Sequence, residues 1–309
     1  MMGKTLKKLI STPFRNMHKQ QANDFDLPQA TISSSHVKQL IAQANEGLFT
    51  FDVRDKAVGW RIALEGVWEE SETNFIKTIV REGDFAIDVG ANLGWYTITL
   101  ANLVGKDGFI LAFEPNPRNH HLLLENIRLN QVGNQVRTYQ SALLDSKSTV
   151  SFELSESNFG DHRVRFRHFN SKEVEKYNES SRSVITVEAI TLDEILADNL
   201  EKNKVVRLMK LDCQGSEVAI LRGAHKTLEK IEYLVTEYWP YGIRRAGYEP
   251  SNFIQIVKSS FTSFAEVPKR NEVFYSNFKP ISEFDAHIKT EFGADEKTST
   301  KVTDYIFRK

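Results

Sequence analysis

Asp88-Val89-Gly90-Ala91-Asn92-Leu93-Gly94 closes an apolar run, FAIDVG (85–90), and leads straight into the helix-forming residues Trp95 to Leu103. A glycine-bearing turn between a strand and a helix lets a ligand approach the backbone N–H groups at the helix start. The dinucleotide fingerprint G-x-G-x-x-G needs glycine at 90, 92 and 95, where this chain has Gly90, Asn92 and Trp95. A pyrophosphate then loses its close approach to the backbone, whereas a nucleoside-like cofactor without phosphates still fits; nicotinamide and flavin chemistry is disfavoured. Glu114 follows 20 residues after Gly94 at the end of FILAFEP (109–115). An acid there can accept hydrogen bonds from ribose hydroxyls. Taken singly, Glu114 is equally a solvated loop residue, and Asp88 equally braces its own turn. Asp212 and Glu237 close two further apolar runs, VVRLMKLD (205–212) and IEYLVTEY (231–238). Carboxylates at strand ends can take a proton from a nucleophile, although Asp212 could instead cap the helix that begins near Ser216.

These residues need strands to carry them. FAIDVG, FILAFEP, VRTYQSAL (136–143), VVRLMKLD and IEYLVTEY are short β-branched runs alternating with helical patterns, which predicts βαβ units and a mostly parallel sheet. Asn116-Pro117 gives one helix an N-cap followed by proline at its first position, and Thr191 to Glu194 is a capping box for another. Between the third and fourth strands lies an insertion holding TVSFEL (149–154), RVRFRHF (163–169) and SVITVEAI (183–190), expected to form antiparallel hairpins. After Pro240 a helix is expected over 250–260, then AEVP and EVFYS as strand candidates, with VTDYIFRK closing the chain.

Composition narrows the class. The 309 residues hold 40 Lys+Arg against 41 Asp+Glu, with 40% hydrophobic and 26% charged residues, the balance of an ordinary globular chain. A strongly basic nucleic-acid binder and wholesale disorder are both excluded. Cys213 is the single cysteine, so no intrachain disulfide and no cysteine-based zinc site can form, and a reducing, cytoplasmic setting is expected. No metal-ligand motif is present, and none is expected. The first 20 residues carry Lys4, Lys7, Lys8, Arg15 and Lys19 with Leu6, Leu9 and Ile10 at helical spacing. This segment could make weak contact with an anionic membrane surface or be a frayed tail. A polar linker follows over 23–35; residues 1–48 are read as tail and linker, and 49–309 as the catalytic domain.

DVGANLGWYT, AFEPNP, ENIRLN, TLD, MKLDCQGSEVAILRGA and LVTEY follow, in order, the pattern of the FkbM-type methyltransferases, which the chain resembles over residues 60–240. The resemblance implies an α/β, Rossmann-like class I methyltransferase with a mostly parallel seven-stranded sheet, helices on both faces, and S-adenosylmethionine as cofactor. Asp88, Gly90, Asn92 and Gly94 would then form the cofactor loop, Glu114 would hold the ribose, and Ser141 and Ala142 would lie near the adenine. Asp212, Gly215 and Glu217 match the family's acidic motif after the fourth strand, while Gln214 stands where the family usually has Glu.

On the acceptor side, Asp212, Glu237 and His162 are the candidate catalytic groups. Arg163, Arg165 and Arg167 share one strand face, with His162, Val164, Phe166 and His168 on the other; Lys172 follows. The arginine row could form a wall for an anionic acceptor, with His162 or His168 as general base, or it could protect an edge strand by its charge. Tyr238, Trp239 and Tyr241 are equally an acceptor platform or rim packing. The expected activity is O-methylation of a hydroxyl on a sugar, polysaccharide precursor or other secondary metabolite, with a small-molecule or glycan acceptor and no nucleic acid. The rival is a catalytically silent cofactor-binding module within a biosynthetic assembly, for which Gln214 is the support.

Overall fold

The computed structural model describes residues 37–166, 179–198, 204–268, 277–293 and 299–309. The basic N-terminal segment, Arg167, His168, Lys172 and the EVFYS run lie outside them. No helix of the described residues is long and apolar enough to cross a membrane.

The described residues open with a hairpin of β1 (Gln39–Ala44) and β2 (Gly47–Asp52), followed by helices α1 (Val58–Glu65) and α2 (Glu70–Ile79). Among the described residues the first strand starts at Gln39, ahead of the boundary read at residue 49. The reason is the buried pair Phe49 and Phe51, which anchors β2, with Phe49 stacked on Trp95 at 5.1 Å. The core alternates β3 (Phe85–Val89), α3 (Trp95–Val104), β4 (Phe109–Phe113), α4 (Pro117–Leu129) and β5 (Val136–Tyr139). Asn116 caps α4 by accepting from the amides of Arg118 and Asn119, at 2.8 and 3.2 Å. On the same helix, Asn126 and Asn130 each hold β2 through paired backbone hydrogen bonds, to Thr50 and Leu48 respectively.

VRTYQSAL does not stay one strand. After Tyr139 the chain leaves the main sheet, and β6 (Ala142–Leu143) pairs in parallel with β9 (Ser183–Ile190) in a second, four-stranded sheet that also holds β7 (Ser148–Leu154) and β8 (Arg163–Arg165). In that sheet β7 is antiparallel to both β8 and β9, as the insertion's patterning predicts. The Thr191 hydroxyl then accepts the Glu194 amide to start α5 (Leu192–Asp198).

The chain returns through β10 (Val206–Leu211), α6 (Glu217–Gly223), α7 (His225–Leu228), β11 (Ile231–Tyr238), α8 (Pro240–Arg245) and α9 (Pro250–Ser260), then β12 (Ser263–Glu266), β13 (Lys279–Pro280), α10 (Phe284–Phe292) and β14 (Thr303–Arg308). The main sheet runs β13-β12-β14-β11-β10-β3-β4-β5, eight strands where seven are expected, because the two-residue β13 adds an edge. The five strands from β5 to β11 are parallel, and β14 is antiparallel to both β11 and β12. Alternation sends Phe85, Ile87, Val89, Leu111 and Phe113 into one apolar layer and Ala86, Ile110, Ala112 and Leu208 into the other. Strand order reverses between β3 and β10, which opens a crevice at the carboxyl ends of both.

Candidate active site

The crevice is lined by the β3–α3 loop, the ends of β4, β10 and β11, and the start of the insertion. The glycines of the loop have separate reasons. Gly90 has φ +85°, and a Cβ there would lie 2.0 Å from the Asp212 carbonyl, so β3 and β10 can close side by side only with glycine. Gly94 has φ +100° and turns the chain into α3, where a Cβ would meet the Leu123 side chain at 2.7 Å. Asn92 between them is also left-handed, and its Oδ1 is buried without a hydrogen-bond partner. Among the described residues four non-glycines have positive φ, and three of them, Glu69, Asn92 and Gln214, line this crevice. Backbone strain of this kind, about 1–3 kcal/mol each, collects where a ligand or a reaction needs it.

Glu114 is 4% exposed and stands where the sequence places it. Its Oε2 accepts from the Asn92 amide and its Oε1 from the Asn116 amide, both at 2.8 Å. Each oxygen keeps a further lone pair, which suits the two donors of a ribose diol. Burial pushes Glu114 up to about 7 against the pull of those two amides, and burial likewise pushes Asp88 up to about 6. Asp88 accepts from the Thr97 hydroxyl at 2.5 Å, so it braces the loop while lining the crevice. Ser141 and Ala142 line the crevice wall beyond Glu114.

Past β10 the character changes. Asp212 is not a helix cap: Gln214 Nε2 donates to its Oδ1 at 3.0 Å, and Lys210 Nζ lies 3.7 Å from its Oδ2. Glu217 shapes this loop by accepting from the Cys213 and Gly215 amides, at 3.0 and 2.9 Å. Lys210, 2% exposed, also reaches Glu72 at 3.1 Å. Tyr96 lies under its ammonium and donates to both Glu69 and Glu72 at 2.7 Å. Sequence reasoning missed this group, although a lysine between Met209 and Leu211 in a strand expected to be buried is a signal, since buried lysines are rare without partners.

Three acceptor-side expectations change. His162 lines the crevice, but its Nδ1 accepts from the Ser155 amide at 3.0 Å, which leaves the proton on Nε2, and burial pushes it down to about 4. A ring so held donates a hydrogen bond and is a poor general base. Arg163 and Arg165 are not a substrate wall: Arg163 is 1% exposed and binds Glu153, Asp161 and Glu179 at 3.4, 3.0 and 2.7 Å, while Arg165 binds Glu153 at 2.9 Å. Arg245 of α8 joins the same acids. Tyr238, Trp239 and Tyr241 are all buried; Trp239 stacks under Arg163 and Tyr241 donates to Glu179 at the base of the insertion, while Tyr238 packs against Phe253, Phe292 and Tyr305 in the core. Away from the crevice, Glu266, His287 and Glu291 bring ligand atoms within 4.8 Å of one another, but the Lys301 ammonium already binds Glu291 at 2.6 Å.

Numbered in chain order, the seven principal strands stand 3-2-1-4-5-7-6, with a glycine turn after the first, a buried acid ending the second and a crevice at the reversal point. That combination defines a Rossmann-like methyltransferase, whose cofactor is S-adenosylmethionine. The family described as the methyltransferase FkbM domain matches residues 88–272, more than half of the sequence, and the chain belongs to it. It is similar to methyltransferase sdnD of Sordaria araneosa, at 25% identity over 207 residues, covering 60% of this chain and 78% of that one. It is also similar to the tRNA(Phe) (4-demethylwyosine(37)-C(7)) aminocarboxypropyltransferase of Methanocaldococcus jannaschii, at 30% identity over 117 residues, which span 38% of this chain and 44% of that protein. Among solved structures it is similar to methyltransferase FkbM from Methylobacillus flagellatus KT, with a TM-score of 0.40 and 11% identity over 76% of this chain and 50% of that one.

Proposed function

We propose that the chain methylates a hydroxyl of a small-molecule or glycan acceptor, with the cofactor's ribose on Glu114 and the acceptor's proton taken by Asp212. The observation that carries this reading is the division of one crevice into a nucleoside end, with the Glu114 carboxylate and the glycine loop, and an acid-lined end past β10. The cofactor supplies a sulfonium methyl, already a strong electrophile, for in-line displacement. The protein's part is alignment and proton removal. Asp88 and Asn92 fix the loop, and Lys210 and Gln214 hold the two oxygens of Asp212 from opposite sides. Asp212 would take the hydroxyl proton as the acceptor oxygen is methylated.

Gln214 supports turnover in this arrangement. Its amide donates to Asp212, where a glutamate would repel it, so the departure from the family pattern does not favour a silent module. The acid-lined end also disfavours a polyanionic tRNA, which needs basic phosphate contacts. A reducing compartment is consistent with the single, unbridged Cys213.

Calorimetric titration with S-adenosylhomocysteine tests the nucleoside end. Because Glu114 must be ionised to accept from both ribose hydroxyls, affinity is expected to rise with pH, by up to about tenfold per unit below 7. In Glu114→Gln the rise flattens to the smaller contribution of Asp88, and affinity at pH 8 falls at least about 10-fold. An unchanged pH profile in that variant removes Glu114 from the ribose. For the chemistry, Asp212→Asn is expected to lower kcat by about 10²–10⁴ while S-adenosylhomocysteine affinity stays within a few-fold. Full turnover by the variant sinks the proton-acceptor role.

A further inference from the structure

The far end of the crevice holds more acid than removing one proton requires. Strand alternation and register place Asp88, Lys210, Asp212, Glu237 and Asp304 on one face of the sheet at its cleft end. Glu69 and Glu72 reach the same point from the start of α2. Lys210 is the sole lysine or arginine lining the crevice among the described residues, and its nearest acid is Glu72. One ammonium cannot neutralise the remainder.

Two observations show that this acid is incomplete without a ligand. Glu237 on β11 stands directly opposite Asp304 on β14, and like charges in opposed positions work against strand pairing. Glu237 is only 9% exposed, lines the crevice, and leaves its Oε2 buried without a hydrogen-bond partner. Such a group is costly to bury unless something pairs with it.

The cofactor's own cations do not account for the cluster. Asp304 lies four strands from Glu114, roughly 19 Å at the usual strand spacing of about 4.8 Å, so the ribose end and this cluster occupy opposite ends of the crevice. Glu69 and Asp304 also line an adjoining recess, together with Glu70 and Glu72; its two cations, Arg61 and Lys301, are bound to Glu65 and Glu291.

We propose that the acceptor carries a cationic group, an ammonium in an amino alcohol or aminosugar arrangement, beside the hydroxyl that is methylated, and that Glu69, Glu237 and Asp304 hold it. The inference rests on the methyltransferase reading and names its substrate class. Burial, reinforced by Asp212 and Asp304, pushes the Glu237 carboxyl well above its ordinary range, and burial pushes Glu69 up to about 8 against the pull of Lys210. Both shifts are in the direction expected of buried carboxylates short of positive charge.

The test loads the full chain with S-adenosylhomocysteine and titrates it calorimetrically with glucosamine, glucose and glucuronic acid, rings of similar size bearing positive, no and negative charge. Glucosamine is expected to bind at least about tenfold more tightly than glucose, with glucuronic acid weakest. In the near-isosteric variants Glu69→Gln and Asp304→Asn, checked for unchanged melting, the margin over glucose shrinks to about threefold or less while S-adenosylhomocysteine affinity is kept. Equal binding of glucose, tighter binding of glucuronic acid, or binding by none of the three overturns the proposal. So does a variant that weakens S-adenosylmethionine but not S-adenosylhomocysteine, because the acids would then serve the sulfonium. Failure of S-adenosylhomocysteine to bind at the loading step overturns the methyltransferase reading itself, before any sugar is added.

Discussion

Gly90→Ala is expected to destroy S-adenosylhomocysteine binding and to destabilise the fold together. The new Cβ would sit 2.0 Å from the backbone carbonyl of Asp212, which cannot rotate aside as a side chain could, and the residue would hold φ +85°. A non-glycine in that conformation costs about 1–3 kcal/mol. Overpacking a fixed backbone adds about 1–3 kcal/mol, and relief requires β3 and β10 to part at the reversal point that forms the crevice. Affinity is therefore expected to fall at least about 100-fold, equivalent to roughly 2.7 kcal/mol. Urea denaturation with calorimetry on the folded fraction separates the two effects. Wild-type affinity in a folded Gly90→Ala protein would mean that the loop does not contact the cofactor.

Arg163→Ala carries the largest expected loss of stability outside the crevice. Arg163 is 1% exposed and is bonded by Glu153 and Glu179, themselves 2% and 3% exposed, with Asp161 at its third edge. It also lies over the Trp239 ring at 5.4 Å, tying the insertion sheet to the segment after β11. Removing it leaves the buried carboxylates to Arg165, Arg245 and the Tyr241 hydroxyl, a change worth about 3–5 kcal/mol when one partner of a buried pair is lost. Tm is expected to drop by roughly 10 °C. Arg163→Lys should recover only part of this, since an ammonium cannot meet three acids with the planar fork of a guanidinium. A loss below about 1 kcal/mol for Arg163→Ala would show that the network is solvated and loose.

The sequence by itself determined the core strands, the capped starts of α4 and α5, and the cofactor end of the crevice. Each depends on contacts close in the chain: period-two apolar runs, an Asn-Pro cap, a glycine turn and an acid at the next strand end. Glu114 was legible because the residues it binds, Asn92 and Asn116, belong to the same βαβ unit. The partners of the charged side chains past β10 came from the three-dimensional arrangement. Whether Arg163 faces a substrate or a buried glutamate depends on Glu153, Glu179 and Arg245 arriving from three other segments. The acid cluster likewise gathers Glu69, Lys210, Glu237 and Asp304 from four separate segments. A charged side chain is indifferent to local periodicity, and its role is set by the charges that the fold brings within a few ångströms of it. That is why the cofactor end could be read from the order of residues, and the surroundings of these charged groups only from their arrangement in space.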